Sequence, residues 1–279
     1  MEVIIAETAG FCFGVMRALD IISKVRRSTN LPIYTLGPII HNPQVVEKLK
    51  KDGIIPIDSL DDVEGKGYLV IRSHGVPPEV IEEAERRGFK LIDATCPYVK
   101  RVQEYAKMLV NEGYRVVIVG EENHPEVKGI LGHTGGRAEI YTGDMDVKPR
   151  EKIGVVAQTT QSFTNLKEAI DYLLERAGEL RVFNTICSAT HERQEAAKEL
   201  AQKVDVMIVI GGKNSANTTR LARISRTICP RTYHIETAEE IQPEWFEAAN
   251  KVGITAGAST PDWIIDAVYQ KIIGLQEVR

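Results

Sequence analysis

Three of the four cysteines stand at the same place in three copies of one pattern. Cys12, Cys96 and Cys187 are each followed by a helical stretch, an apolar strand and a glycine, namely Gly37, Gly120 and Gly211, 24 or 25 residues on. The polar loops GPIIHNP, EENHPEV and GKNSANT come at those glycines. Self-similarity at a fixed period means a repeated structural unit. Three thiols at matched positions are therefore expected near one pseudo-threefold axis. Three thiolates are one short of a four-cysteine cluster site. They suit a 4Fe–4S cubane held by three corners with its fourth iron open, and they also suit a three-cysteine zinc site. The repeat does not separate the two. An open iron combines a Lewis acid with an electron outlet. Each cysteine precedes a helix, and a positive helix end favours thiolate.

Other groups with chemistry sit at equivalent places. His41, His74 and His124 follow strands and adjoin glycine or proline. With Ser215, Asn217 and Ser259, and with helix N-termini, they form a candidate anion site. Glu126 is the carboxylate next to His124, placed to donate a proton. Gln158, Thr159 and Thr160 end another strand. The run around Lys213 lacks the Walker pattern, and GxGxxG is absent from the chain, so no bound dinucleotide is expected. His191 and Glu192 lack the second histidine of a zinc protease helix and read as a solvated face. Cys229 falls outside the repeat and reads as structural.

The elements that must hold these groups are short Val/Ile-rich strands alternating with helical stretches of roughly 10–15 residues, the signature of parallel sheets covered by helices. Asn42-Pro43 and Cys96-Pro97 each read as an N-cap with proline at the first helical position. Gly53, Gly88, Gly113 and Gly178 read as glycines just past helix ends. Every conspicuous polar motif follows a strand and precedes a helix, at the carboxyl edge where open α/β folds bind ligands. The third copy lacks its closing strand, and a spare strand precedes Cys12. The expected fold is therefore α/β, with three pseudo-threefold-related lobes carrying small, mainly parallel sheets arranged as a ring around a central pocket. The lobes are expected at 13–96, 97–187 and 188–279, the last completed by strand 1–12.

Composition adds exclusions. The chain has 279 residues, 43% hydrophobic and 27% charged, which is ordinary for a globular protein. No run of about 18 apolar residues suggests a membrane span. The net charge of −4 argues against a nucleic-acid surface. An acidic start leading straight into a strand argues against a signal peptide, so a cytoplasmic location is expected.

Nine segments in order, spanning nearly the whole chain, carry a resemblance: AGFCFGV, LGPIIHNPQVV, RSHGVPP, DATCPYV, NHPEVKG, VVAQTT, NTICSAT, GGKNSANTTRL and GASTPDW. The chain resembles the family of 4-hydroxy-3-methylbut-2-enyl diphosphate reductases, the last enzymes of the non-mevalonate isoprenoid pathway. The resemblance implies a 4Fe–4S cluster on Cys12, Cys96 and Cys187. It implies that His41, His74, Ser215, Asn217 and Ser259 bind the substrate diphosphate, with His124 in the same pocket. It implies that Glu126, with Thr159, delivers a proton, while Thr160 and Gln158 adjoin that site. The family often has serine where Ala216 stands here, so a backbone N–H replaces that hydroxyl or the contact is lost. The implied reaction is a two-electron reductive dehydroxylation giving isopentenyl and dimethylallyl diphosphate. The implied electron donor is a separate ferredoxin- or flavodoxin-type protein.

Overall fold

The computed structural model describes residues 1–63 and 66–277. Its elements run β1 (Glu2–Ile5), α1 (Phe13–Ser28), β2 (Ile33–Leu36), α2 (Pro43–Lys51), β3 (Ile54–Ile57), β4 (Tyr68–Ile71), α3 (Pro78–Arg86), β5 (Lys90–Asp93) and α4 (Pro97–Asn111). They continue β6 (Arg115–Val119), α5 (Pro125–His133), β7 (Ala138–Ile140), β8 (Lys152–Ala157), α6 (Phe163–Leu174), β9 (Glu179–Phe183) and α7 (Ser188–Ala201). The last are β10 (Val206–Ile210), α8 (Ala216–Ile228), β11 (Thr232–Ile235), β12 (Lys251–Ala256) and α9 (Asp262–Glu277). Strand formation follows composition. Val206 to Ile210 and Val116 to Val119 are β-branched or flexible apolar residues, buried on both faces. That pattern belongs to a parallel sheet sandwiched by helices.

Among the described residues the strands form three four-stranded sheets, all parallel. Their orders are β3-β2-β4-β5, β7-β6-β8-β9 and β11-β10-β12-β1. In each copy the chain makes its first strand, adds the second on one side, then crosses to the other side for the third and fourth. The N-terminal strand takes the fourth place in the last sheet, with Glu2 opposite Lys251 and Ile5 opposite Ile254. It thus occupies the position that β5 and β9 hold in theirs. The order reverses between β2 and β4, between β6 and β8, and between β10 and β12. Loops at the carboxyl ends of such paired strands line the crevice where this class of sheet takes ligands.

The chain divides into two compact units. One comprises Met1–Val15, Ile40–Val45 and the chain from Ser188 on; the other comprises Met16–Ile39 and Val46–Cys187. The first unit holds the sheet β11-β10-β12-β1. Its core packs Ile208, Ile210, Val252 and Ile254 against Ile264, Val268 and Ile272 of α9. The second unit holds the other two sheets, with β6 and β8 buried beneath α4, α5 and α6.

Helix ends follow the sequence reading with one exception. Asn42 Oδ1 accepts the Val45 N–H at 3.0 Å, and Cys96 precedes Pro97 as the N-cap of α4. Gly53, Gly88 and Gly113 have φ of 80°, 83° and 82°, the left-handed conformation expected past a helix. Gly178 is not in that conformation. It is glycine because a Cβ there would collide with the Arg150 backbone. Gly154, on β8, has a similar cause. A Cβ there would lie 2.7 Å from the Leu109 methyls of α4. Gly154→Ala is expected to destabilise the second unit by about 1–3 kcal/mol, read as a lower denaturant midpoint with unchanged slope.

Candidate functional site

The three cysteines share a backbone address. The Cys96 N–H donates to the Ser73 carbonyl at 2.9 Å, and the Cys187 N–H donates to the Thr159 carbonyl at 3.1 Å. The Cys12 N–H donates to the Ala258 carbonyl, also at 3.1 Å. Ser73, Thr159 and Ala258 each stand two residues past the third strand of their sheet. The repeat therefore extends to single hydrogen bonds. Each thiol is half-buried and none is in a disulfide. Each also sits at the start of a helix (α1, α4 or α7). Cys229 differs. It is 5% exposed in an apolar cluster with Leu200 and Met207, its sulfur is 3.5 Å from the Asp205 carbonyl, and burial pushes its thiol pKa up.

In the second unit, the loop after β6 and the loop after β8 meet at Glu126. Its carboxyl is 1% exposed. The Thr159 N–H donates to Oε1 at 2.6 Å, and the Thr159 hydroxyl bonds Oε2 at 2.7 Å. Burial pushes the Glu126 pKa up to about 7; the Thr159 bonds pull the other way without overcoming it. The same Thr159 accepts from Cys187 through its carbonyl. One residue therefore ties the buried acid to a cysteine of the repeat.

His124 caps α5, and its Nδ1 accepts the Glu126 N–H at 3.2 Å. An accepting Nδ1 leaves the hydrogen of the neutral ring on Nε2, which becomes a donor. The His74 ring lies edge-on to it, with centroids 5.5 Å apart. Thr160 Oγ1 accepts from Gln158 Nε2 at 2.8 Å, and Gln158 Oε1 accepts the Glu121 N–H at 2.9 Å. Gln158 thus braces the two loops that carry Glu126 and Thr159.

In the first unit, His41, Ser259 and the loop after β10 come together. The Ser259 hydroxyl donates to the His41 carbonyl at 3.0 Å. A Cβ on Gly212 would lie 2.6 Å from that same oxygen, so only glycine allows the approach. Ser215 caps α8 and accepts the Thr218 N–H at 3.3 Å, which leaves its own hydrogen for another acceptor. Ala216 opens α8, where early helical N–H groups have no intrahelical partner. Asn217 is 4% exposed, yet neither its Oδ1 nor its Nδ2 has a hydrogen-bond partner among the described residues. A buried, unsatisfied amide is costly and marks a place made for a ligand. Lys213, in the same loop, turns its ammonium to Glu240 at 2.5 Å.

Sequence reasoning overlooked the acidic turn after β11, whose Glu236 and Glu240 contact this loop. The signal was present, since polar residues again follow a strand. His191 and Glu192 are exposed on α7, and Glu195 pairs with Lys198 at 2.7 Å, as a solvated face does.

Known proteins are similar to this chain along nearly its full length. The family model for the LytB protein matches residues 3–273. A 4-hydroxy-3-methylbut-2-enyl diphosphate reductase of Geobacter sp. (strain M21) is 52% identical, over 99% of each chain. A protein of the same name from Aquifex aeolicus (strain VF5) is 51% identical, over 98% of this chain and 96% of its own. A solved structure of (E)-4-hydroxy-3-methyl-but-2-enyl diphosphate reductase, the terminal enzyme of the non-mevalonate pathway, is 51% identical. It covers 98% of this chain and 100% of that one, with a TM-score of 0.71. The E-1-hydroxy-2-methyl-but-2-enyl-4-diphosphate reductase of Plasmodium falciparum is 28% identical, with a TM-score of 0.89 over 98% of this chain and 87% of that one. The matched region takes in the cysteine repeat, the buried acid and the loop of the unsatisfied asparagine, and the chain belongs to the LytB protein family.

Proposed function

We propose that this protein reduces 4-hydroxy-3-methylbut-2-enyl diphosphate to isopentenyl and dimethylallyl diphosphate, with loss of the allylic hydroxyl as water. Family membership supports the reaction, and the buried Glu126, its pKa pushed up to about 7, carries it. The equation balances with two electrons and two protons. One proton leaves with the hydroxyl as water and one is added to an end of the allylic unit. The electrons come from a ferredoxin- or flavodoxin-type protein.

The cofactor is a 4Fe–4S cluster on Cys12, Cys96 and Cys187. The donor set fits it, because three half-buried thiols share one backbone address and the fourth cysteine lies in an apolar cluster. When bound, such a cluster supplies a Lewis-acidic iron corner and a path for the electrons.

The chain's own residues bind the anion and move the proton. Ser215, Asn217, the first N–H groups of α8, His41 and His74 bind the diphosphate. His124 adds its Nε2–H, and Thr160 adjoins the same site. Ser259 gives its hydrogen to His41 and so fixes that residue's backbone. Binding of the remote diphosphate orients the reacting carbon. Glu126 is the general acid. The Thr159 N–H must remain a donor to Oε1, so the transferable proton sits on Oε2. The Thr159 hydroxyl can accept that proton while passing its own hydrogen on. Thr159 thus both orients the acid and is its outlet.

An anaerobic assay of the iron-loaded protein with a reduced one-electron mediator and the hydroxylated diphosphate tests the reading. Turnover to the two isomers is expected. An intact cluster without turnover would point instead to a sensor. Zinc without iron and sulfide would point to a hydrolase.

Asn217→Leu separates binding from folding. Leucine is close in size and removes two buried polar atoms that lack partners. The variant is expected to match or exceed the parent in stability, by up to about 1–3 kcal/mol. Its KM for the substrate is expected to rise at least about tenfold. Thermal melting and steady-state kinetics check the two halves.

A further inference from the structure

Residues 211–215 link β10 to α8 and lead into the groups assigned above to the diphosphate. Within the loop the Ser215 N–H donates to the Gly212 carbonyl at 2.9 Å, and the Thr219 hydroxyl of α8 donates to the Lys213 carbonyl at 3.2 Å. The loop opens on Gly211, with φ 141°, and a second glycine follows. The anchors at Gly211 and at the Lys213 N–H come from the edge strand β11 and the turn beyond it. Val209 stands opposite His234 and Ile210 opposite Ile235, so the end of β11 lies beside the start of the loop. The Gly211 N–H donates to the Ile235 carbonyl at 2.9 Å. The Gly211 carbonyl lies 2.8 Å from His234 Nε2. A carbonyl can only accept, so Nε2 carries the hydrogen. Burial pushes the His234 pKa down, against the charged form of the ring.

Two residues further on, the Lys213 N–H donates to Glu236 Oε1 at 2.7 Å. The Lys213 ammonium pairs with Glu240 Oε2 at 2.5 Å. Glu240 is itself held, because its Oε1 accepts the N–H groups of Glu236 at 2.6 Å and Thr237 at 3.2 Å. A lysine in the loop is thereby neutralised and turned aside. The loop is left to meet an anion through the Ser215 hydroxyl, the Asn217 amide and the first N–H groups of α8.

We infer that His234 and Glu236 are positioning residues for diphosphate binding, setting the backbone of residues 211–215 through the Gly211 carbonyl and the Lys213 N–H. This rests on the reductase reading. The residues touch the loop and not the substrate, so their effect is expected on affinity rather than on chemistry.

The test uses the iron-loaded protein and two pairs of variants. His234→Phe keeps the ring shape without a donor, and His234→Gln restores an N–H near the Nε2 position. Glu236→Ala removes the acceptor, and Glu236→Gln restores a neutral one. His234→Phe and Glu236→Ala are each expected to raise KM, and the inhibition constant of inorganic pyrophosphate, about tenfold. Their kcat and iron content should stay within about twofold, a small change on this scale. The two glutamine variants should lie near the parent. Melting curves identify any variant that loses its fold, and the other residue's non-polar variant then carries the comparison. Unchanged KM and pyrophosphate inhibition in a folded His234→Phe and Glu236→Ala would overturn the inference and leave the reductase reading standing. Equal losses in the glutamine and the non-polar variants would also overturn it, since the hydrogen bond would then not be the cause. A parent protein without reductase activity would remove the premise, and the inference with it.

Discussion

Glu126→Gln is expected to cut kcat at least about a hundredfold, the usual scale for a general acid, while iron content stays the same. Glutamine copies the protonated form of the acid. Its oxygen keeps the Thr159 N–H bond, and its NH2 group donates to the Thr159 hydroxyl as the carboxylic acid would. The fold is therefore spared while the transferable proton is lost. The parent's own pH profile gives an independent check. A general acid works when protonated, so kcat should fall as pH rises through about 7, where Glu126 loses its proton.

Stability carries the same signature with a defined sign. The folded pKa of about 7 lies above the ordinary 4.5, so the folded protein binds this proton more tightly than the unfolded chain. The resulting stability is fully present below about pH 4.5 and is lost as pH rises through 7, on the order of 3 kcal/mol in total. Glutamine does not titrate and escapes that loss. The variant should melt near the parent at pH 5 and above it at pH 8. A Glu126→Gln protein with parental turnover would remove the proposed acid.

Loss of any thiol of the repeat is expected to have the second large effect. Cys96→Ala should lose most of its bound iron and sulfide, and its activity with them, and Cys12→Ala and Cys187→Ala should do the same. A cubane held at three corners has no spare protein ligand, so two thiolates cannot replace three. Cys229→Ser is the control. That residue lies among Leu200, Met207 and Ala201, and its sulfur bonds a backbone carbonyl. Its loss should lower the melting temperature modestly and leave iron, sulfide and turnover intact. Iron and sulfide assays with the visible absorption spectrum decide between the cases. Bleaching by Cys229→Ser, or an unbleached Cys96→Ala, would show that the ligand set is wrong.

The repeat was readable because its punctuation is local. Each strand is a short run of Val and Ile, and each crossover ends in a glycine, a proline or a capping side chain. These features act within a few residues, so they survive without knowledge of the fold. The place of β1 was readable for the same reason. A third copy without its last strand, beside an unclaimed first strand, leaves one solution, and the Glu2–Lys251 register meets it. Gly178 shows where local reading fails. Its position after a helix suggested a left-handed turn, but its cause is the approach of Arg150, 28 residues earlier in the chain.

The sequence by itself determined which residue types reach the carboxyl ends of the strands, because strand, loop and helix alternate with a fixed local rhythm. That was enough to single out Cys12, Cys96, Cys187, Glu126 and Asn217 as candidates. Only the tertiary structure decided their states. Glu126 has a pKa near 7 because packing excludes water from it and a threonine 33 residues away grips both its oxygens. Asn217 is left unsatisfied, and Gly211 is held by His234, for a like reason. Solvation and hydrogen bonding depend on what the parallel crossovers bring alongside, and separation along the chain does not reveal it.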